Sequence, residues 1–194
     1  MQAAVLLLIV QKRPSANTPR VLLKPFDLTI SAKSSIVFTL RSQKVEHHKG
    51  EISFPGGRKD PEDRNLEFTA QRETKEEIGI DATEYKILAE LPQIHTYSSK
   101  FTITPFLGIT LKEKLSYSLQ DNETADVLEL SFEHLFKHLD RFEEHQIPNT
   151  SKKLALPVFF PYETRSKEVD AQKIWGATAV ILHSFLKSCC SYLT

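Results

Sequence analysis

The sequence predicts an α/β protein of the α+β kind, a mixed β-sheet with helices packed on it. Three observations carry that prediction. An eight-residue apolar run opens the chain at Ala3–Val10 and suits a buried strand. Leu66, Ala70, Thr74 and Ile78 recur every fourth residue and mark one buried side of a central helix. Ile174, Ala177, Val180, Ile181 and Phe185 repeat the helical spacing near the end.

Taken in order, Ala3–Gln11 is the first strand, and Lys12–Arg20, with Pro14, Ser15, Asn17 and Pro19, is a loop. Val21–Pro25 forms a short strand. Ser34–Arg41, rich in β-branched and apolar residues, is a second core strand. Polar Gln43–Gly50 is a loop, and Glu51–Phe54 a short strand that runs into a Gly56-Gly57 turn. The central helix follows, ended by Gly79. Tyr85–Leu91 and Phe101–Leu111 are strands separated by a polar loop, Thr124–Leu130 is a strand, and Phe132–Leu139 a short helix. Leu154–Tyr162 is a further strand, and Ile174–Lys187 the closing helix.

With 194 residues and neither an internal repeat nor an evident linker, the expectation is one domain over 1–194, with 1–34 as a divergent strand and insertion. Twenty-five basic and 25 acidic side chains cancel, which gives no global attraction for nucleic acid or an anionic membrane. The Ala3–Val10 run is too short to span a bilayer, has no Lys or Arg before it and no small-residue cleavage site after it. Cys189 and Cys190 are adjacent, so they make no disulfide framework, and a cytoplasmic location is expected. The sequence admits a homodimer and leaves the role of Lys12–Lys33 open between an added strand, a dimer contact and a mobile loop.

The chemistry is concentrated in Ser53-Phe54-Pro55-Gly56-Gly57 and in Arg72-Glu73-Thr74-Lys75-Glu76-Glu77-Ile78-Gly79-Ile80. Glu73, Glu76 and Glu77 stand at i, i+3 and i+4, so a helix gathers them on one face. Carboxylates crowded in this way repel one another unless a cation lies between them. Hard oxygen ligands of this kind suit Mg²⁺ or Mn²⁺.

This segment resembles the Nudix hydrolase box, Gly-x5-Glu-x7-Arg-Glu-U-x-Glu-Glu-x-Gly-U with U a bulky aliphatic residue. Arg72, Glu73, Glu76, Glu77, Gly79 and Ile80 match in register. Three positions depart from it. Gly57 lies one residue further from Arg72 than the pattern has, Arg64 stands where it has glutamate, and Thr74 replaces its aliphatic residue. Within Asp60-Pro61-Glu62-Asp63, Glu62 is the candidate to supply the absent carboxylate.

A narrower resemblance is to the Nudix enzymes that split coenzyme A. Val37-Phe38-Thr39-Leu40-Arg41-Ser42, Gly50 and Phe54-Pro55-Gly56-Gly57 follow that subfamily's upstream signature, and His48 to Phe54 follows its His-x-Gly-x-Ile-x-Phe run. Glu46 replaces a signature arginine. Ile174-Trp175-Gly176-Ala177-Thr178-Ala179 is similar to its last helix start.

These resemblances imply an α/β/α sandwich and hydrolysis of the diphosphate of coenzyme A or acyl-CoA. Glu73, Glu77 and Glu76 are the implied metal ligands. Glu76, Arg72 and Glu123 are the candidate catalytic residues, with Arg72 holding a glutamate in place and Glu123, or else one of Glu73 and Glu76, as base. Arg41, His48, Lys49, Gly56, Gly57 and Arg58 are the candidate substrate-binding residues. Trp175, Phe159 and Phe160 are expected to pack rather than bind. The rival readings are a Nudix pyrophosphatase for ADP-ribose, nucleoside diphosphate sugars or nucleoside triphosphates, and a silent nucleotide-binding module.

Overall fold

The computed structural model describes residues 1–44, 50–96, 100–120, 122–146, 151, 153–161 and 173–193. The chain begins with β1 (Gln2–Val10), β2 (Arg20–Leu23), β3 (Leu28–Ser31) and β4 (Ser35–Arg41). Short strands β5 (Ile52–Ser53) and β6 (Gly56–Arg58) lead to helix α1 (Leu66–Ile78). Then come β7 (Tyr85–Glu90), β8 (Ile94–His95), β9 (Thr102–Thr110) and β10 (Thr124–Ser131). The remainder is α2 (Phe132–Lys137), β11 (Phe142–Gln146), β12 (Lys153–Pro157), α3 (Gly176–Cys189) and β13 (Cys190–Leu193).

The main sheet runs β10-β4-β1-β9-β7, with β5 on β4, β6 on β1 and β8 on β9. It is mixed, because β1 and β9 are parallel from Gln2↔Thr102 to Ile9↔Ile109, whereas the neighbouring pairs are antiparallel. Side chains along β1 alternate between two cores. Leu7 and Ile9 join Phe38, Phe132, Leu182 and Phe185 under α2 and α3. Ala4, Leu6, Leu8 and Val10 join Val37, Ala70 and Ile78 under α1. Burial on both sides is why the strand reads as a continuous apolar run. Helices therefore cover both faces of the sheet, the sandwich that the sequence predicts.

The arrangement of strands around β1 positions the site. Its C-terminal end pairs with β4 (Ile9↔Ile36), while its N-terminal end pairs with β6 (Ala4↔Gly57). The Gly-Gly turn is thereby fixed to a central strand with α1 directly behind it.

Several elements settle or differ from the sequence prediction. Of the readings left open for Lys12–Lys33, the structure shows added strands: β2, near the expected strand Val21–Pro25, pairs with β3 and with β13 from the other end of the chain. Val21, Leu23, Ile30 and Cys190 sink into the α3-side core. The predicted strand Leu154–Tyr162 is shorter, ending at Pro157, and it pairs with β11, which polar Phe142-Glu143-Glu144-His145-Gln146 disguised in the sequence. Phe159 bridges to Ile174 and both are fully buried, so their role is packing. Trp175 caps the start of α3, is 40% exposed, and stacks on His145. No described helix is long and apolar enough to cross a membrane.

Candidate active site

Helix α1 is defined by a side-chain cap at its start and a glycine backbone at its end. Asn65 accepts the Phe68 N–H at 2.7 Å, and Gly79, at φ 74°, closes the C-terminus. Thr74 occupies an aliphatic position of the box without cost in unpaired polarity: it is fully buried and its hydroxyl donates to the Ala70 carbonyl at 2.7 Å.

The two glycines of the turn answer different constraints. Gly56 has φ 149°, and a Cβ there would stand 2.3 Å from the Ala4 carbonyl oxygen and 2.6 Å from Val5 Cα. At Gly57 a Cβ would meet not backbone but the Glu73 carboxylate, 2.4 Å from its Cδ. Gly57 is thus the floor on which Glu73 lies.

Glu77 points inward and is 3% exposed. Its Oε2 accepts the Gly56 N–H at 3.1 Å, and its Oε1 lies 3.8 Å from Arg41 Nη1. Burial pushes its carboxyl up to about 8, and the charges of Glu73 and Glu123 push the same way; the Gly56 N–H and Arg41 oppose them only in part. The Glu73 carboxyl is also raised, first by burial and then by Glu76 and Glu123, against the pull of Arg72. Glu76 is the exposed member, bonded to Arg72 Nη1 at 2.9 Å.

Arg72 is the hub. Its Nε and Nη2 each reach Asp63 at 3.0 Å in a two-pronged pair, its Nη1 lies 3.0 Å from Glu73 Oε1, and its Nη2 donates to the Arg58 carbonyl at 3.2 Å. Asp63 is 4% exposed and also accepts the Asp60 N–H and the Thr69 hydroxyl, each at 2.9 Å. The Arg72 hydrogen bonds hold its carboxyl far below the usual carboxylate range. This corrects the expectation for Glu62. The carboxylate that anchors Arg72 is Asp63, while Glu62 is exposed. Asp63 lies six residues after Gly57, the spacing at which the box has its glutamate, and that signal was available in the sequence. The extra residue falls between Asp63 and Arg72. Arg64 is exposed and lies over the Phe68 ring at 5.2 Å.

The other predicted residues divide. Glu123 is exposed, and its carbonyl accepts the Ser42 N–H at 2.8 Å, which ties the start of β10 to the end of β4 beside Arg41. Its charge adds to the upward push on both Glu73 and Glu77. Arg41 turns toward Glu77, and its buried Nε has no hydrogen-bond partner among the described residues. Arg58 is exposed at the edge of the turn. His48, Lys49 and Glu46 lie outside the described residues.

The donor set fits a hard divalent cation, because Glu73 and Glu77 are both raised by burial and by neighbouring carboxylates, Glu73 by Glu76 and Glu77 by Glu73, a repulsion that such an ion relieves. Among the described residues no three His, Cys, Asp or Glu side chains form a closed ligand cluster, and Arg72 stands between Glu73 and Glu76.

Comparison with known proteins agrees with this geometry. The NUDIX domain model matches residues 28–154. Nudix hydrolase 3 of Caenorhabditis elegans is 31% identical over 177 residues, covering 88% of this chain and 73% of that protein. The mitochondrial coenzyme A diphosphatase NUDT8 of Mus musculus is 35% identical over 156 residues, covering 79% of this chain and 70% of that protein. Among solved structures, the Nudix hydrolase RenU from M. smegmatis superposes with a TM-score of 0.50 at 17% identity, covering 70% of this chain and 73% of RenU, a likeness of fold. With the box on α1, the glycine turn in front of it and these relatives along most of its length, the chain belongs to the Nudix hydrolase family.

Proposed function

We propose that this protein hydrolyses the diphosphate of coenzyme A or an acyl-CoA, releasing a 4′-phosphopantetheine species and adenosine 3′,5′-bisphosphate. The observation that carries diphosphate hydrolysis is the buried Glu77, anchored to Gly56 and facing Glu73 across the turn. The coenzyme A assignment is supported by the run from Arg41-Ser42 to Gly57 and by the name of the mouse relative. Residues 1–194 are read as one domain, since Leu7 near one end and Cys190 near the other share a core.

In this reading Glu73, Glu77 and Glu76 would hold Mg²⁺ or Mn²⁺, which would supply charge neutralisation at the diphosphate and a lowered water pKa. Arg72 positions the cluster: braced by Asp63, it fixes where Glu73 and Glu76 lie. Glu123, which is exposed, takes the proton of the attacking water. Arg41 screens Glu77 and, with Arg58, meets the substrate's phosphates, as Arg suits bidentate contact. Gly56 and Gly57 let the diphosphate approach the backbone. Much of the catalytic effect then comes from positioning and charge stabilisation. Free Cys189 and Cys190 suit a reducing compartment. The cytoplasmic expectation rests on those thiols, whereas the mouse relative is named mitochondrial.

The test is a panel of CoA, ADP-ribose, NADH and dGTP with Mg²⁺ or Mn²⁺, read by product identification. CoA cleaved to adenosine 3′,5′-bisphosphate with the highest kcat/KM is the expected result. ADP-ribose turned over far faster than CoA would sink the coenzyme A assignment. No turnover of any compound would return the silent module.

A further inference from the structure

Beside the Gly-Gly turn lies a cleft of about 210 Å³ lined by Met1, Gln2, Arg58, Lys59, Asp60 and Pro61. It is below the size of pockets that enclose a whole drug-sized ligand, roughly 300–1,000 Å³. Its charge is unbalanced. Arg58 makes no ion pair among the described residues. The Lys59 ammonium donates to the Asp63 carbonyl at 2.7 Å and to the Asp60 carbonyl at 3.4 Å, neutral groups that leave its charge standing. The acid on the cleft wall, Asp60, has its carboxylate 3.6 Å from Arg72 Nη2 and is engaged there.

The cleft adjoins the reacting centre. The Arg58 carbonyl accepts from Arg72, and the next residue back, Gly57, is the one on which Glu73 lies. Arg58 and Lys59 follow Gly57 directly in the chain, so the cleft they line borders the turn against which Glu73 lies.

We propose that this cleft is a second anion subsite, which takes a phosphate monoester carried on the same ribose as the scissile diphosphate. Two uncompensated cations, one of them a planar guanidinium, match the dianionic charge and oxygen geometry of such a group. The inference rests on the coenzyme A reading and deepens it: the nucleotide half of coenzyme A bears a 3′-phosphate, whereas ADP-ribose does not. The cleft therefore selects substrates by a phosphate remote from the bond that breaks.

The test is calorimetric binding of adenosine 3′,5′-bisphosphate and of adenosine 5′-monophosphate to the full chain in Mg²⁺. The bisphosphate is expected to bind at least about tenfold more tightly, the equivalent of one charge-assisted hydrogen bond. In Arg58→Ala/Lys59→Ala that ratio falls to near one. Arg58→Ala alone, which spares the Lys59 bonds to the loop, lowers it in part and guards against a folding artefact. Equal affinities in the unaltered protein, or a preference that survives the double substitution, overturn the inference. Turnover of CoA is read separately. CoA cleavage without the affinity ratio removes the cleft and leaves the proposed function standing, and the ratio without CoA cleavage does the reverse.

Discussion

Asp63 and Glu77 are two carboxylates of equal burial, 4% and 3% exposed, at opposite ends of one helix, yet their protons behave in opposite ways. Asp63 is held far below the ordinary carboxylate range by Arg72, with Thr69 and the Asp60 N–H adding to it. Glu77 has one backbone donor at 3.1 Å and a guanidinium at 3.8 Å, too little to offset its burial, and it rises to about 8. The difference separates scaffold from site. A buried charge with every lone pair answered is fixed structure, and one left half-answered awaits a partner.

The largest contrast is expected from the matched substitutions Glu77→Gln and Asp63→Asn. Glu77→Gln keeps shape and the Gly56 hydrogen bond but removes the charge, so kcat/KM falls by about 10³ or more while the urea midpoint of metal-free protein does not drop. Asp63→Asn leaves Arg72 without its main partner and costs about 3 kcal/mol of stability, the low end for a broken buried pair because Arg72 is 20% exposed. If both substitutions destabilise alike, the division between scaffold and site is wrong.

The glycines sharpen the same division. An added methyl at Gly57 meets only the end of a flexible side chain, so Gly57→Ala displaces the Glu73 carboxylate and weakens cation affinity about tenfold with little change in melting temperature. Gly56→Ala strikes backbone and also holds a left-handed φ, costing about 2–3 kcal/mol. Equal melting temperatures for the two variants would contradict this assignment.

The pH dependence of metal-free protein should separate the same pair. For Glu77 the folded state keeps a proton that the unfolded chain releases, so its contribution to stability falls as pH rises from 4.5 to about 8. For Asp63 the unfolded chain binds the proton first, so its contribution is present above 3.8 and is lost as pH falls below it. Glu77→Gln should flatten the neutral slope and spare the acid limb, as urea titrations at successive pH values would show.

Much of this was legible in the sequence, for identifiable reasons. The apolar run of β1, the four-residue spacing of α1 and the glutamates on one helical face depend on local periodicity, which a sequence displays directly. The sheet β13-β2-β3 depends on two chain ends meeting, and neither Cys190-Ser191-Tyr192-Leu193 nor Leu28-Thr29-Ile30-Ser31 carries a strong pattern of its own. The carboxylate expected at Glu62 for the box's first acidic position is Asp63, one residue later. The loop before α1 holds one residue more than the box allows; counting six residues from Gly57 reaches Asp63, and the Arg72 hydrogen bonds show that the extra residue is taken up after it.

The central claim is that Glu77 is the carboxylate that exchanges its proton for a cation, while Asp63 is fixed. Mn²⁺ binding measured by calorimetry at pH 7, in buffers of different ionisation enthalpy, tests it most directly. The account predicts release of up to about one proton per Mn²⁺ bound, abolished in Glu77→Gln. Mn²⁺ binding that releases no proton, or the same release from Glu77→Gln, would contradict it.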